Sequence, residues 1–259
     1  RKFWPGPITL VLPKAECVPM AVTGGLDTVA VRFPSNKIAR ELIKAAGIPV
    51  AAPSANSSGK PSPTRASHVE FDLSGKIDMI IDGGPADWGL ESTILDVSAD
   101  KPVLLRPGAI TKEMIEEVIG AIEVDPAVYA KPSANIVPKA PGMKYKHYSP
   151  RASVTLVSGS IEDVIRTINE KIAEDSKRGL SVGVLATEQT KDFYKGGHVL
   201  IVGDRDKPET IGANLFKILR KFDYIGVDVV YSEVFDESGE GAAIMNRLNK
   251  AAAFHYIKC

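Results

Sequence analysis

The sequence predicts an α/β protein of two domains, the first with a mixed sheet and the second smaller and doubly wound. Short apolar strands in the first half are joined by turns as well as by helices, which favours a mixed sheet. In the second half strands and helices alternate, which is typical of a parallel sheet covered by helices. A proline-rich stretch over 123–152 separates the two patterns.

The first half contains six predicted strands and two predicted helices. Alternating or β-branched apolar runs predict strands at 8–13, 28–34, 48–55, 79–84, 92–98 and 103–108. Helical spacing predicts a helix over 35–47, with Ser35 as its N-cap and Gly47 as its stop. A second helix is predicted over 111–120, where Thr111 is the expected N-cap.

The stretch 123–152 has five prolines and no apolar periodicity, so it reads as an extended, stiff linker. It also carries three tyrosines, which is unusual for a spacer, and Tyr148 lies directly beside His147. We therefore place the first domain at 1–122, the linker at 123–152 and the second domain at 153–259.

The second domain is predicted from four apolar strands and the helical segments that join them. The strands are expected at 154–159, 181–186, 198–203 and 227–233. Of the segments between them, 161–175 and 209–222 have helical periodicity and the shorter 188–194 does not, and 239–253 is expected as a last helix. The tail 247–256 is interpreted as a surface helix packed on this domain. Because no GxGxxG follows the first strand, a dinucleotide is not expected there.

Composition excludes several classes of protein. The 259 residues contain 32 Lys+Arg and 32 Asp+Glu, so no global basic field attracts nucleic acid. Cys17 and Cys259 form no CxxC pair, which argues against a disulfide scaffold and fits a reducing cytoplasm. No apolar run is long enough to span a membrane, and no secretory leader begins the chain.

The run VAAPSANSSGKPSPT at 50–64 places many small polar side chains directly behind an apolar strand. A strand that ends in such a turn can bind an anion through its backbone N–H groups and hydroxyls, with Lys60 adding one positive charge. The same residues can instead cap the turn themselves. Both alternatives stay open on the residues alone.

The strand TVAVR places Thr28 and Arg32 on one face, because residues four apart in a strand share a face. A guanidinium on an otherwise apolar strand requires an anionic partner. A ligand carboxylate would bind it bidentately, although an internal Asp or Glu is the commoner partner. The other polar residues near strand ends are Ser92 and Arg106, and each alone is weak evidence for a binding site.

Known catalytic and metal motifs are absent from the sequence. No GxSxG elbow and no GxxxxGK[ST] loop is present. The four histidines have no metal-ligand spacing. We therefore assign neither a catalytic nucleophile nor a metal ligand.

Several stretches in this order resemble the Sua5 branch of the YrdC/Sua5 proteins, which are threonylcarbamoyl-AMP synthases. They are KFWPGPITLVL, TVAVRFP, PVAAPSANSSGKPSPT, ESTILD, LLRPGAI and PGMKYKHYSP. The resemblance covers essentially the whole chain. It implies a YrdC-like domain with a twisted open mixed sheet, a linker with an HYSP motif, and a smaller Rossmann-like Sua5 domain.

The resemblance implies that L-threonine, bicarbonate and ATP give threonylcarbamoyl-AMP and pyrophosphate. A separate tRNA threonylcarbamoyl transferase then uses the product for the t6A37 modification of tRNA. ATP is expected as a substrate, accompanied by Mg²⁺. The chemistry needs no protein nucleophile, because the carboxylate of N-carboxy-threonine attacks the α-phosphorus.

The resemblance also implies roles for individual residues. Arg32 would bind the threonine carboxylate, with the Ala52 backbone and Ser92 completing that pocket. The expected nucleotide contacts are Thr28, Ser54, Asn56, Ser62, Arg106 and Tyr148. Tyr148 would close over the site, with His147 as its neighbour.

The family pattern has a front section with a TVYGLG-like stretch and a KxR element, and neither occurs in this sequence. We therefore expect an upstream section to be missing, and we do not count on catalysis by these 259 residues alone. Two other functions are alternatives to this one. One is an RNA-binding YrdC-like module, which zero net charge disfavours; the other is a carbamoyl-transfer accessory domain, which the HYSP linker disfavours.

Overall fold

The computed structural model describes residues 1–129 and 148–259, and its chain forms two compact units. Unit 1 contains the described residues 1–54, 81–84 and 91–129, and unit 2 contains 55–80, 85–90 and 148–259. These units assign 55–80 to the same body as the C-terminal half. The boundaries at 122 and 153 stay a prediction, and most of the linker, with His147, lies outside the described residues.

The secondary structure alternates between strands and helices along the described residues. The strands are β1 (Ile8–Pro13), β2 (Thr28–Arg32), β3 (Thr93–Asp96), β4 (Val103–Arg106), β5 (Glu123–Val124), β6 (Ser153–Ser158), β7 (Val182–Thr187), β8 (His198–Gly203), β9 (Val229–Glu233) and β10 (Tyr256–Lys258). The helices are α1 (Met20–Thr23), α2 (Lys37–Ala46), α3 (Ala66–Leu73), α4 (Lys112–Ile119), α5 (Ile161–Lys177), α6 (Pro208–Ile225) and α7 (Glu240–Ala251). Short 3-10 turns lie at Pro126–Val128 and Lys191–Phe193.

Unit 1 contains a mixed sheet with the strand order β2-β1-β3-β4-β5. β1 pairs antiparallel with β2 and parallel with β3, so the predicted mixed α/β sheet is confirmed. One face buries Ile8, Leu95 and Leu104 together with Ile115 of α4. The other face buries a smaller cluster that includes Val11. The three inner strands, β1, β3 and β4, are therefore fixed by apolar packing on both faces.

Two strands predicted in the first half of the chain are wrong. Residues 48–55 and 79–84 have no strand in the structure. No strand among the described residues pairs with them, and a strand needs a neighbour to satisfy its backbone N–H and C=O groups. The N-cap of α2 also differs from the prediction, because the Asn36 side chain rather than Ser35 accepts the hydrogen bond from the Ala39 N–H.

Unit 2 contains a parallel sheet with the strand order β10-β6-β9-β7-β8. α5 packs on one face, where Ile168 and Ile172 meet Val184. α6 and α7 pack in a larger apolar cluster that also contains strand residues such as Leu156 and Leu185. The predicted doubly wound arrangement of the second half is therefore confirmed.

The C-terminal tail differs from the surface helix that we predicted. α7 ends at Ala251, and residues 256–258 form β10, which pairs parallel with β6. Arg247 and Leu248 are fully buried, so the helix belongs to the core of unit 2. Within 188–194, the segment without helical periodicity, a short 3-10 turn forms at Lys191–Phe193. Among the described helices, none combines the length and the apolar character that a bilayer crossing requires.

Candidate functional site

Four polar side chains form a row across neighbouring strands of unit 1, and they begin with Arg32 at the end of β2. Arg32 lies directly opposite Thr9 of β1 in the antiparallel register. Directly opposed residues share a face of the sheet, with their Cβ atoms about 5 Å apart. The strand register therefore places the base of the guanidinium side chain beside the Thr9 hydroxyl group.

The row continues from Thr9 through Ser92 to Arg106. The Thr9 and Ser92 hydroxyl oxygens are 2.8 Å apart, and both side chains are buried. Arg106 at the end of β4 donates from Nε to the Ser92 carbonyl at 3.0 Å and from one terminal nitrogen to the Ser92 hydroxyl at 3.3 Å. Three predicted site residues, Arg32, Ser92 and Arg106, thus belong to one connected row.

Thr9 completes this row, and sequence reasoning missed it. The residue stands in the apolar strand ITLVLP, where it breaks an otherwise hydrophobic run. A hydroxyl group in a buried strand has to find a partner, and that requirement was the available signal. The partner could not be identified from the sequence, because Ser92 is 83 residues away.

The end of the row is fixed by a close approach between Gly108 and the start of β3. A Cβ on Gly108 would lie 2.4 Å from the Thr93 backbone nitrogen, so the position admits no side chain without a shift. The Thr93 hydroxyl donates to the Ile110 carbonyl at 2.6 Å and accepts from the Ile110 N–H at 3.1 Å. The turn after Arg106 is therefore attached to the strand that begins beside Ser92.

The Arg32 side chain is exposed and forms no ion pair or hydrogen bond with any residue that the structure describes. The internal Asp or Glu partner, which the residues alone favoured, is thus not found among residues 1–129 and 148–259. An exposed guanidinium keeps its five N–H donors available to a ligand carboxylate.

The other predicted residues of unit 1 lie away from the row or have no side-chain partner. Thr28 is opposite Pro13, four residues from Arg32 and therefore about 13 Å along β2. Ala52 and Ser54 are exposed in a segment without secondary structure. The Ser54 side chain forms no hydrogen bond with a described residue, so its hydroxyl group is available for a ligand.

Asn56 and Ser62 belong to unit 2, in a segment over 55–62 that we call the Asn56 loop. The Asn56 amide nitrogen donates to the carbonyls of Ser57 at 2.9 Å and Lys60 at 3.4 Å. Both amide hydrogens are therefore committed, and only the buried Oδ1, which has no partner among the described residues, can take a further hydrogen bond. Ser62 is buried.

Lys60 is not a free cation in this loop. Its ammonium group donates to Asp72 at 3.0 Å and lies 5.1 Å from the centre of the Phe71 ring. Of the two open alternatives for this turn, these contacts favour the one in which the turn satisfies its own polar groups. Anion binding here would depend on backbone N–H groups and hydroxyls rather than on the Lys60 charge.

Tyr148 is packed inside unit 2. The residue is 5% exposed, its ring stacks on Phe216 with a centroid distance of 5.1 Å, and the Arg247 guanidinium lies 5.9 Å from the ring centre. Its backbone has a φ of 64°, which is rare for a residue with a side chain. His147 lies outside the described residues, and the closing role of Tyr148 stays a prediction.

A metal cage is not built by the described residues. Within residues 1–129 and 148–259, no group of three or more His, Cys, Asp or Glu side chains is placed so that it could hold a metal ion. The charged groups of the row are cationic, which suits carboxylate and phosphate ligands rather than a metal.

Two family profiles match the chain. One, described as the C-terminal domain of threonylcarbamoyl-AMP synthase, matches residues 110–253. The other, described as telomere recombination, matches residues 1–108.

Curated relatives and a solved structure match along the chain. The threonylcarbamoyl-AMP synthases of Pyrococcus abyssi and Bacillus subtilis are 52% and 48% identical to it, over 100% of the chain and 74% and 73% of their own lengths. The counterpart from Schizosaccharomyces pombe is 42% identical over 98% of the chain and 65% of its own length. The crystal structure of P. abyssi Sua5 complexed with L-threonine superposes with a TM-score of 0.92, at 52% identity, over all of this chain and 74% of that one.

Proposed function

The chain belongs to the Sua5 family of threonylcarbamoyl-AMP synthases, and from that premise we propose how its own residues serve the synthase reaction. L-threonine, bicarbonate and ATP are converted into threonylcarbamoyl-AMP and pyrophosphate. The observation that carries the residue assignment is the row Arg32–Thr9–Ser92–Arg106, which joins an unpaired cation to a second arginine through two buried hydroxyl groups.

The amino acid is proposed to bind at the Arg32 end of the row. Its carboxylate takes a bidentate pair of hydrogen bonds from the Arg32 guanidinium. The Ala52 backbone and Ser92 complete the pocket. Exposure of Arg32 supports this role, because the side chain loses no internal partner when the ligand binds.

The nucleotide is proposed to contact Thr28, Ser54, Asn56, Ser62, Arg106 and Tyr148. Within this set, Arg106 and Ser54 serve the phosphates. Asn56 has only an acceptor left, so it would meet a ligand N–H or O–H group, such as a ribose hydroxyl, rather than a phosphate oxygen.

The proposed reaction has two steps. Threonine nitrogen adds to bicarbonate with loss of water and gives N-carboxy-threonine. One oxygen of that new carboxylate then bonds to the α-phosphorus of ATP while the bond to the bridging oxygen breaks, and pyrophosphate leaves. The protein supplies position and positive charge, which are the dominant contributions in phosphoryl-type transfer.

Mg²⁺ is proposed to accompany ATP through the phosphate oxygens, since the residues described here do not form a cage for it. The product is proposed to pass to a tRNA threonylcarbamoyl transferase for the t6A37 modification. The cytoplasm is the proposed compartment; Cys17 and Cys259 are free thiols, which suits a reducing environment.

The test is pyrophosphate release from ATP by the complete gene product. We expect release that requires both L-threonine and bicarbonate. A threonine-independent release, or none at all, would overturn the proposed reaction. Salt-sensitive tRNA binding without nucleotide binding would instead point to the RNA-binding alternative.

A further inference from the structure

Asp72, near the end of α3, is a buried carboxylate that holds the Asn56 loop. Its side chain is 0% exposed. It accepts hydrogen bonds from the Ser57 backbone N–H at 3.2 Å, the Lys60 ammonium at 3.0 Å and the Arg220 guanidinium at 2.8 Å. Two of these three donors belong to the loop itself, so the carboxylate fixes the loop backbone at one end of its turn.

Arg220, on α6, is the third donor and also contacts the loop directly. One terminal nitrogen of its guanidinium donates both to Asp72 and, at 2.6 Å, to the Pro61 carbonyl. The side chain is only 8% exposed. α6 lies in the segment that the C-terminal family profile matches, whereas the loop lies in the segment of the other profile.

A buried ion pair is costly to desolvate, and apolar residues in its place often give equal or greater stability. The neighbours of Arg220 on α6, Leu219 and Phe222, belong to the apolar core, so the charged pair stands beside apolar side chains. The charged pair is therefore better explained by the geometry it fixes than by stability. Through this pair, Arg220 gives the Pro61 carbonyl a hydrogen-bond donor and also fixes the direction of the loop.

A second contact holds the same loop. The Ser149 N–H donates to the Gly59 carbonyl at 3.0 Å, and its hydroxyl donates to the Ala251 carbonyl at the end of α7 at 3.0 Å. Together with Asp72 and Arg220, this contact means that the loop is bound at 57, 59, 60 and 61. The free conformations of the loop are thereby restricted before any ligand arrives, which is the usual route to preorganised binding.

We propose that Arg220, acting through Asp72 and Pro61, is a positioning residue that holds the Asn56 loop in the conformation that binds the nucleotide. The inference rests on the proposed function, because it takes Asn56 and Ser62 as nucleotide contacts. It gives the C-terminal segment a defined part in nucleotide binding without placing any of its side chains on the substrate.

The test uses the complete gene product and compares Arg220→Met with Arg205→Met. Arg205 is the matched control because it also pairs with a buried carboxylate of unit 2, Glu233, but has no contact with residues 55–62 among those the structure describes. We expect Arg220→Met to raise the KM for ATP about tenfold, because loss of loop position weakens all loop contacts together. The KM for threonine should change less than about twofold, and the control should leave both constants unchanged.

Hydrogen exchange of the peptide that covers 55–62 gives a readout without substrate. Exchange should become faster in Arg220→Met and stay unchanged in the control. Because removal of one partner leaves Asp72 as a buried unpaired charge, the double variant Asp72→Asn/Arg220→Met is the second test, and it should show the same two effects. Arg220→Lys keeps the charge and should restore part of the affinity for ATP.

Unchanged loop exchange in Arg220→Met and in the double variant Asp72→Asn/Arg220→Met would overturn the proposed contact. Faster exchange with an unchanged KM for ATP would show a purely structural pair and would overturn the positioning role. If the wild type shows no threonine-dependent pyrophosphate release, the proposed function fails, whereas the exchange experiment still decides separately whether Arg220 holds the loop.

Discussion

Replacement of Arg32 by alanine tests the proposed threonine pocket most directly. In the structure the Arg32 side chain is exposed and has no ion pair or hydrogen bond with the described residues, so the substitution breaks no described internal contact. Any functional loss then reports on the ligand. A charge-assisted hydrogen bond contributes roughly 1.5–3 kcal/mol, which corresponds to a rise in the KM for threonine of about 10- to 150-fold.

The assay is pyrophosphate release by the complete gene product at saturating ATP and bicarbonate, with threonine varied. The matched control is Arg40→Ala, which removes another exposed arginine of unit 1; its guanidinium lies 5.2 Å from the centre of the Phe33 ring. We expect the KM for ATP to stay nearly constant in both variants and the melting temperature of Arg32→Ala to match the wild type.

An unchanged KM for threonine in Arg32→Ala would remove this residue from the pocket and with it the ligand end of the row. An equal rise in Arg40→Ala would show that general surface charge, and not the specific position opposite Thr9, attracts the amino acid.

Three further predictions concern the row and the loop. Thr9→Val should lower the free energy of unfolding by about 1 kcal/mol, because the Ser92 hydroxyl loses a buried partner at 2.8 Å. Urea denaturation measures this free energy, and an unchanged unfolding midpoint would contradict the Thr9–Ser92 hydrogen bond. Arg106→Lys should raise the KM for ATP severalfold and lower the free energy of unfolding by about 1 kcal/mol, because an ammonium cannot reproduce the two-nitrogen contact with Ser92. Steady-state kinetics measure the KM, and an unchanged KM for ATP would contradict this prediction. Burial raises the pKa of Asp72, but hydrogen bonds from Arg220 and Lys60 outweigh it and lower the pKa from 3.8 to about 2. Because the folded state favours the ionised Asp72 carboxylate, its ionisation stabilises the fold at neutral pH by about 2 kcal/mol. This stabilisation is lost as the pH falls from about 4 to about 2 and the carboxylate takes up a proton. Denaturant unfolding should therefore show a difference in the free energy of unfolding between wild type and Asp72→Asn at pH 6, and this difference should become smaller below pH 4. A difference that does not depend on pH would refute the lowered pKa of Asp72.

The fold of the second half could be predicted well because its signals are local. Strands such as β6 and β9 are short apolar runs, and α5 and α6 have clear helical spacing and, for α5, a serine N-cap. The alternation of these elements implies a parallel sheet without reference to distant residues. The tail was predicted less well, because β10 is stabilised by its pairing with β6 and carries little strand signal of its own.

The candidate site was predictable in its parts but not in its connections. Arg32, Ser92 and Arg106 stand out as polar residues on or beside apolar strands. Thr9 does not, because a single threonine is ordinary in a strand and only the register of β1 with β2 gives it a role. The sequence presents Lys60 as a cation available to an anion, and its partner Asp72 is identified only by the packing of α3 against the loop.

The amino-acid sequence alone determined most of the elements and the family, because periodicity, caps and motifs are encoded over short stretches. The tertiary structure decided which residues meet. Thr9 and Ser92 are 83 residues apart, and Arg220 lies 148 residues from Asp72. Contacts at such separation depend on strand register and helix packing, which are properties of the whole folded unit and not of any local pattern.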